Sequence, residues 1–266
     1  MPEFNVEVRD LAKTFYDESR GEVKAVEGVT FSCRSGEVFG LLGANGAGKT
    51  TTLRMLSTIL QPTAGTARIM GYDVLEAPED VRRSLGFYSA STALYPRLTG
   101  RETLEFFARI NGYPPERVRD RVEGLVQRFG IAAYQNARVE KLSGGMKQKV
   151  SIARTVAHDP PVLIFDEPTV GLDVMNALEM AKVIREMRDE GKTIIFSSHI
   201  MSEVEKLCDR IAIVHRGKLL ALGTLAELRE LTGMHYLEDI FVRYATQAEG
   251  VAEAVIGIGG ALEGRP

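Results

Sequence analysis

A glycine-rich loop between an apolar segment and a helix-forming segment strongly limits the folds that this chain can adopt. Residues 38–42 (VFGLL) have the composition of a buried strand, and residues 43–50 (GANGAGKT) match the phosphate-loop consensus. Leu53, Leu56 and Leu60 then follow at helical spacing, and Gln61-Pro62 is predicted to end that helix. Glycines let successive backbone N–H groups turn toward an anion, and a helix N-terminus adds about half a positive charge. The sequence therefore predicts an α/β nucleotide-binding core.

The loop residues are the candidate contacts for the nucleotide. We expect Lys49 to reach the β- and γ-phosphates and the Thr50 hydroxyl to bind Mg²⁺, as the consensus requires. The full candidate set is Gly43, Ala44, Asn45, Gly46, Ala47, Gly48, Lys49, Thr50 and Thr51.

A second buried strand is predicted at residues 162–165 (VLIF), and two acids follow it directly. The carboxyl ends of such strands are where α/β sheets bind ligands. Because neighbouring strand residues point in opposite directions, the two acids should have different roles. Asp166 is the candidate for Mg²⁺, and Glu167 is the candidate general base for the attacking water.

His199 follows another apolar strand, at residues 193–198 (TIIFSS), and repeats this layout. A lone histidine is more often structural than catalytic. Spacing alone leaves a structural role and contact with the γ-phosphate or its water equally open.

A second glycine motif, LSGGM, lies at residues 142–146. Ser143 suits a helix N-cap, but two glycines in a first helical turn disfavour the helix. They are useful if an anion must approach the backbone closely, and that anion could be a triphosphate held by another subunit. A plain glycine turn before a surface helix explains these residues equally well.

Taken together, GANGAGKT, LSGGM, LIFDEP, Gly171-Leu172-Asp173 and His199 resemble the nucleotide-binding subunit of ABC transporters. The resemblance extends over nearly the whole chain. It implies a head-to-tail dimer with two ATP molecules between the subunits. It also implies that Ser143, Gly144 and Gly145 contact the γ-phosphate from the partner subunit, that Asp173 lies on the dimer seam, and that His199 is the switch histidine.

The resemblance also implies an aromatic partner for adenine near the end of the first strand. Phe15 holds that position, Tyr16 is the alternative, and Val26 is expected near the ribose. Ordinary core packing remains an alternative for Val26.

One position departs from the family pattern. Aligned on its flanking residues, Ala90 stands where the family usually has a glutamine that links the Mg²⁺ site to the membrane partner. A methyl group cannot bind Mg²⁺, so a hydroxyl of Ser89, Ser91 or Thr92, or a water, is expected to serve instead. We expect ATP still to bind, with altered coupling between hydrolysis and transport.

The nearby residues 94–102 (LYPRLTGRE) and residues 237–242 (LEDIFV) resemble the sodium-efflux and drug-efflux exporter branch.

The predicted fold class is α/β: a P-loop NTPase core with an antiparallel β subdomain and an inserted α-helical subdomain. Residues 1–75 are assigned to the β subdomain and the phosphate-loop part of the core, and residues 76–160 to the helical subdomain. Residues 161–230 are assigned to the rest of the core, and residues 231–266 to a C-terminal extension. A capping box at Thr99–Glu102 and a glycine stop at Gly130 bound the predicted helices of the insertion.

Composition narrows the function classes. The net charge of −3 and the pI near 5.9 do not favour nucleic acid as a partner. No run of roughly 18 apolar residues is present, residues 1–4 do not resemble a signal peptide, and the two cysteines lack metal-type spacing. A peripheral protein at the cytoplasmic face of the membrane is expected.

The leading hypothesis is an ATPase subunit that dimerises around two ATP and drives a separate transmembrane permease of an exporter. A soluble ABC-type ATPase acting on a non-transport macromolecule is the alternative. A phosphate-loop kinase or GTPase is a third class, but it would lack LSGGM.

Overall fold

The computed structural model describes residues 4–19 and 21–250. Residues 1–3, 20 and 251–266 lie outside the described residues, and with them most of the segment expected not to be a signal peptide and the end of the predicted C-terminal extension. The strands are β1 Phe4–Asp17, β2 Gly21–Arg34, β3 Val38–Leu42, β4 Ala64–Ile69, β5 Tyr72–Asp73, β6 Leu85–Ser89, β7 Val162–Asp166, β8 Thr193–Ser198, β9 Arg210–His215 and β10 Lys218–Gly223. The helices are α1 Lys49–Leu56, α2 Pro78–Ser84, α3 Gly100–Ile110, α4 Val118–Arg128, α5 Gly144–Thr155, α6 Val174–Asp189, α7 Met201–Leu207, α8 Leu225–Thr232 and α9 Leu237–Ala248.

Six strands form the central sheet, in the order β10-β9-β3-β8-β7-β6. All neighbouring pairs in it are parallel except β9 and β10, which form an antiparallel hairpin. The predicted apolar strands β3, β7 and β8 lie in its middle and are buried along their whole length. Parallel strands covered on both faces need such continuous apolar runs.

The second sheet is antiparallel, with the order β2-β1-β4-β5. It packs over one face of the central sheet through a core that includes Phe31 and Phe39, whose rings stack at 4.9 Å. Helices α1 and α2 contribute to this same core, and helices α3 to α9 cover the opposite face. Side chains along β3 alternate between the two cores, Val38 and Leu42 on one side and Phe39 and Leu41 on the other, as strand geometry requires.

The helical region contains α3, α4 and α5. The predicted capping box is present: Thr99 Oγ1 accepts from the Glu102 amide at 3.1 Å, and the Glu102 carboxylate accepts from the Thr99 amide at 2.8 Å. Gly130 follows α4 in the left-handed region at φ 61°. The predicted fold class, with its two sheets and helical insertion, is confirmed.

Two local expectations differ from the structure. The helix after the phosphate loop ends at Leu56 rather than Leu60, because Thr58 adopts φ 58° and the amides of Ile59 and Leu60 fold back onto the Arg54 carbonyl. The stretch predicted as helical at residues 76–160 includes β6, which forms the edge of the central sheet. Its residues include Gly86, Tyr88 and Ser89, so they lack the continuous apolar run by which β3 and β7 were predicted.

Candidate functional site

The polar residues predicted at strand ends meet along one edge of the central sheet. Leu42, which precedes the phosphate loop, pairs with Ser198, and Asp166 pairs with Ser197 on one side and Ser89 on the other. Parallel strands in register carry their carboxyl ends to the same edge, so the loop after β3, the acids after β7 and the histidine after β8 come together there.

Glycine is required at both ends of the phosphate loop by the chain's own packing. A Cβ at Gly43 would lie 2.5 Å from the Val214 carbonyl oxygen, and a Cβ at Gly48 would lie 2.5 Å from that of Ala25. Gly48 also has φ 102°, which L side chains rarely adopt. The loop is therefore held closely between β2 and the β9–β10 hairpin.

Lys49 is buried at the first position of α1. Its Nζ donates to the Gly43 carbonyl at 2.6 Å and to the Ala44 carbonyl at 3.2 Å, and lies 3.3 Å from Glu167 Oε1. The ammonium thus stands inside the curve of the loop, with one carboxylate as its charge partner. Its position near the α1 N-terminus adds a second source of positive potential.

Thr50 and Asp166 lie side by side. Thr50 Oγ1 donates to Asp166 Oδ2 at 2.9 Å, and Ser197 Oγ donates to Asp166 Oδ1 at 2.6 Å. A hydroxyl beside a fixed carboxylate fits Mg²⁺, which usually keeps waters and binds through one or two protein oxygens together with substrate phosphates. Within residues 4–19 and 21–250, no cluster of three or more His, Cys, Asp or Glu forms an all-protein metal cage.

Glu167 and His199 approach each other above this edge. Glu167 has φ 51° and its amide donates to the Ser197 carbonyl at 3.2 Å, which turns its side chain away from the strand. Glu167 Oε1 lies 3.2 Å from His199 Nδ1 as well as near Lys49. Lys49 and His199, predicted from separate segments, therefore both lie next to one carboxylate oxygen of Glu167.

The second glycine motif opens α5 as predicted, with Ser143 Oγ accepting from the Met146 amide at 3.3 Å. A Cβ at Gly144 or Gly145 would meet nothing within 4 Å. In contrast to Gly43 and Gly48, these glycines are not required by packing within the chain. The cavity at the phosphate loop is lined by Ala25, Glu167 and residues 45–51, and Ser143, Gly144 and Gly145 are not among its lining residues.

Asp173 caps α6, where it accepts from the Asn176 amide at 3.0 Å and from the Asn176 side chain at 2.6 Å. These hydrogen bonds lower the pKa of the Asp173 carboxyl. Apolar side chains on both sides of it are exposed, namely Val170, Val174, Met175 and Leu178. An exposed apolar group of this kind marks an interaction surface.

The residues predicted for the base and ribose lie on the antiparallel sheet. Phe15 is 40% exposed, and the Lys13 ammonium lies over its ring at 5.2 Å from the centroid. Tyr16 is more exposed, at 81%. Val26 is buried in the core beside Gly48, which corresponds to the alternative of ordinary core packing.

Two contributors were not predicted from the sequence. Ser197 fixes Asp166 and also accepts from the Glu167 amide at 3.1 Å, so it orients both acids. Gln148 donates to the Pro168 carbonyl at 2.6 Å and ties α5 to the segment after β7. The position of Ser197 at the end of an apolar strand was a usable signal, since His199 was predicted from the same pattern. Nothing local indicates the role of Gln148.

Ala90 is exposed just after β6 and lines a groove between this segment and α5, with a volume of 390 Å³. Ser89 Oγ and Ser91 Oγ lie 3.0 Å apart beside it. Since Ser89 pairs with Asp166 across the ladder, a hydroxyl does lie next to the strand end that carries the acid.

Comparisons with known proteins agree on one family. The family model described as "ABC transporter" matches residues 26–170. The chain is 41% identical over 238 residues to the ABC transporter ATP-binding protein NatA of Bacillus subtilis (strain 168), covering 89% of this chain and 96% of that protein. It is 37% identical over 214 residues to the daunorubicin/doxorubicin resistance ATP-binding protein DrrA of Streptomyces peucetius, covering 80% and 65% of the two chains. A solved ATP-binding subunit of an ABC transporter superposes with a TM-score of 0.82 at 32% identity, covering 90% of this chain and 98% of that one.

Proposed function

Because this chain belongs to the ABC transporter family as an ATP-binding protein with ATPase activity, we propose that it powers a membrane exporter as a dimer closed around two ATP molecules. The main observation that supports a dimer is the free space around Gly144 and Gly145. Two glycines that destabilise a helix and are not needed by the fold are explained if a triphosphate from a second copy approaches their backbone.

The arrangement of Lys49, Glu167 and His199 supports hydrolysis in this site. Lys49 would bind the β- and γ-phosphates, and Glu167 would accept a proton from the attacking water, a role that typically contributes about 10²–10⁴-fold in rate. His199, close to the same carboxylate oxygen, would hold the water or the γ-phosphate in line.

Thr50 and Asp166 would hold Mg²⁺ through their neighbouring oxygens. When bound, the ion neutralises charge on the phosphates. Ser197 keeps the Asp166 carboxylate in position for it, since Ser197 Oγ donates to the other carboxylate oxygen.

The partner subunit would complete the site. Ser143, Gly144 and Gly145 at the α5 N-terminus would contact the γ-phosphate bound by the other copy, and Asp173 would lie on the seam between them. The exposed apolar side chains around Asp173 support this, because dimer formation would remove them from water.

Gel filtration of Glu167→Gln with and without ATP tests the dimer. The variant is expected to bind ATP, hydrolyse it very slowly and elute as a dimer only with ATP. The double variant Glu167→Gln/Gly144→Val should still bind ATP but remain monomeric, because the added side chain blocks the backbone. A monomeric Glu167→Gln protein at saturating ATP would contradict the proposal.

A separate transmembrane permease is proposed as the second partner, placing the protein at the cytoplasmic face of the membrane. None of the helices in the described part of the chain is long and apolar enough to cross a bilayer. Next to the groove at Ala90, Tyr95 and Phe106 are 53% and 41% exposed and their rings meet at 5.8 Å. In the family that this chain resembles, such a groove receives a short helix of the membrane subunit.

Co-purification from membranes tests this partner. Phe106→Arg is expected to abolish recovery of a multi-span partner while the isolated chain keeps its ATPase rate, and Ile59→Arg, an exposed apolar residue elsewhere, serves as control. Recovery with a ribosome or another soluble assembly, but no membrane protein, would favour the non-transport alternative.

Export is the proposed direction because of the resemblance to the sodium-efflux and drug-efflux branch and the likeness to a drug-resistance protein.

A further inference from the structure

The β9–β10 hairpin packs against both ends of the phosphate loop, its turn at the Gly48 end and strand β9 at the Gly43 end. The Gly217 amide donates to the Ala47 carbonyl at 2.9 Å, and the Gly217 carbonyl accepts from the Glu27 amide at 2.8 Å. Gly217 Cα would lie 3.3 Å from a Cβ at Gly48, and the Val214 carbonyl approaches Gly43 closely. The position of the loop therefore depends on the position of this turn.

The turn itself holds an unfavourable conformation. Arg216 has φ 47° and Gly217 has φ 79°, so both central residues are left-handed, as in a type I′ turn. Asparagine, aspartate or glycine is favoured at the first of these positions, and an arginine there is disfavoured. A contact from outside the hairpin is therefore needed to offset the cost of the left-handed conformation of Arg216.

The C-terminal end of α9 supplies that contact. Glu249 Oε1 lies 2.7 Å from Arg216 Nη2 and 3.0 Å from His215 Nε2, so one carboxylate bridges the two residues that enter the turn. Helix α9 is anchored at its other end, where Leu237 and Ile240 are fully buried. Glu249 is thus presented from a fixed helix rather than from a free tail.

We infer that Glu249 is a positioning residue for ATP binding, which acts through Arg216 and His215 to hold the hairpin turn against the phosphate loop. The inference rests on the proposed use of this loop for ATP. By reciprocity of binding energies, nucleotide at the loop would in turn stabilise the α9 contact. The C-terminal extension would then influence nucleotide affinity without touching the nucleotide.

Steady-state ATPase kinetics of Glu249→Ala test the inference. Because exposed ion pairs of this kind contribute little energy, we expect the KM for ATP to rise roughly two- to fivefold with kcat nearly unchanged. Glu238→Ala, an exposed acid at the start of the same helix, is the matched control and should match the unaltered chain. In an Arg216→Gly background, where the turn needs no compensation, Glu249→Ala should have little further effect.

Hydrogen exchange gives a readout independent of hydrolysis. The Gly217 and Glu27 amides, which form the two hydrogen bonds of the turn, should exchange faster in Glu249→Ala than in Glu238→Ala. Unchanged KM and unchanged exchange in Glu249→Ala would overturn the inference, and so would equal effects in both variants. If the unaltered chain bound no ATP, the proposed function would fail, whereas the exchange result would still decide whether Glu249 holds the turn.

Discussion

Lys49 Nζ lies 3.3 Å from Glu167 Oε1, which joins the phosphate loop directly to the end of β7. The two side chains come from segments more than a hundred residues apart, and their substitution is predicted to affect different steps, ATP binding and hydrolysis. Lys49→Ala should weaken ATP binding by about 1.5–3 kcal/mol, because charged hydrogen bonds to the phosphates are lost. Glu167→Gln should leave binding nearly unchanged and lower kcat by about 10²–10⁴-fold.

Titration with a fluorescent ATP analogue and phosphate-release assays measure the two effects. Glu116→Gln, at an exposed acid in the turn before α4, is the control and should be unaltered in both. A Glu167→Gln protein that hydrolyses ATP at the normal rate would show that another group accepts the proton.

Alanine substitution in the two glycine motifs should change the free energy of unfolding in opposite directions. Gly48→Ala places a Cβ 2.5 Å from the Ala25 carbonyl at φ 102°, so we expect a loss of about 1–3 kcal/mol in the free energy of unfolding. Gly144→Ala meets open space at the start of α5 and should raise that free energy by up to about 1 kcal/mol, while ATPase activity falls on the order of tenfold. Urea unfolding and ATPase assays on the two variants check this. A Gly144→Ala protein with full activity would argue against contact of this backbone with a triphosphate.

Substitution of Phe15 and of Tyr16 tests which of the two side chains stacks on adenine. Phe15→Ala should weaken ATP binding by about 1–3 kcal/mol, because base–aromatic stacking is lost. Tyr16→Ala should change it less than about twofold if Phe15 is the partner, since only one of the two adjacent strand residues faces the nucleotide. Calorimetry with ATP and with triphosphate lacking a base distinguishes them: the Phe15 effect should vanish for the latter. The reverse order of effects would assign the stacking to Tyr16.

Ala90→Gln tests the departure from the family pattern. Because Ala90 follows Ser89, the ladder partner of Asp166, a carboxamide there should add a ligand or a water contact at the metal site. We expect Mg²⁺ binding to strengthen by about 0.5–1.5 kcal/mol, so that the Mg²⁺ concentration for half-maximal ATPase falls roughly 2- to 12-fold. The ratio of transport to hydrolysis should also change. Ala90→Leu, of similar volume without polar atoms, is the control. Unchanged ATPase and transport in Ala90→Gln would refute a role for this position in coupling.

His158 should make stability depend on pH. Desolvation by burial, with the nearby charges of Arg121 and Lys192, lowers the pKa of His158 to about 4. As pH falls from the unfolded value of about 6.5 toward 4, the unfolded chain takes up a proton that the folded chain does not, so stability is lost across this window, by about 3 kcal/mol in total. His158→Phe should lose less stability than the unaltered chain between pH 7 and 4, and His235→Asn, at an exposed histidine, should follow the unaltered chain. Parallel curves for His158→Phe would contradict the lowered pKa.

Much of the fold could be predicted because the local patterns were strong. The apolar runs at β3, β7 and β8 and the capping box at Thr99 all matched the structure, since each depends on a few neighbouring residues. The end of α1 and the strand β6 were missed, because the left-handed conformation of Thr58 has no local sequence signal and Leu85–Ser89 lacks a continuous apolar run.

The amino-acid sequence was enough to identify the reactive groups: a phosphate loop with Lys49, paired acids after a buried strand, a histidine after another, and glycines opening α5. Which of these groups meet depends on the tertiary fold. Parallel strands in register place Lys49 and His199 beside one carboxylate oxygen of Glu167, and Ser197 beside Asp166. It also showed that Gly43 and Gly48 serve the chain's own packing while Gly144 and Gly145 face open space. Spacing along a chain sets which residues share an element, but contact between elements depends on sheet order and on the close approach of backbones that lie far apart in sequence.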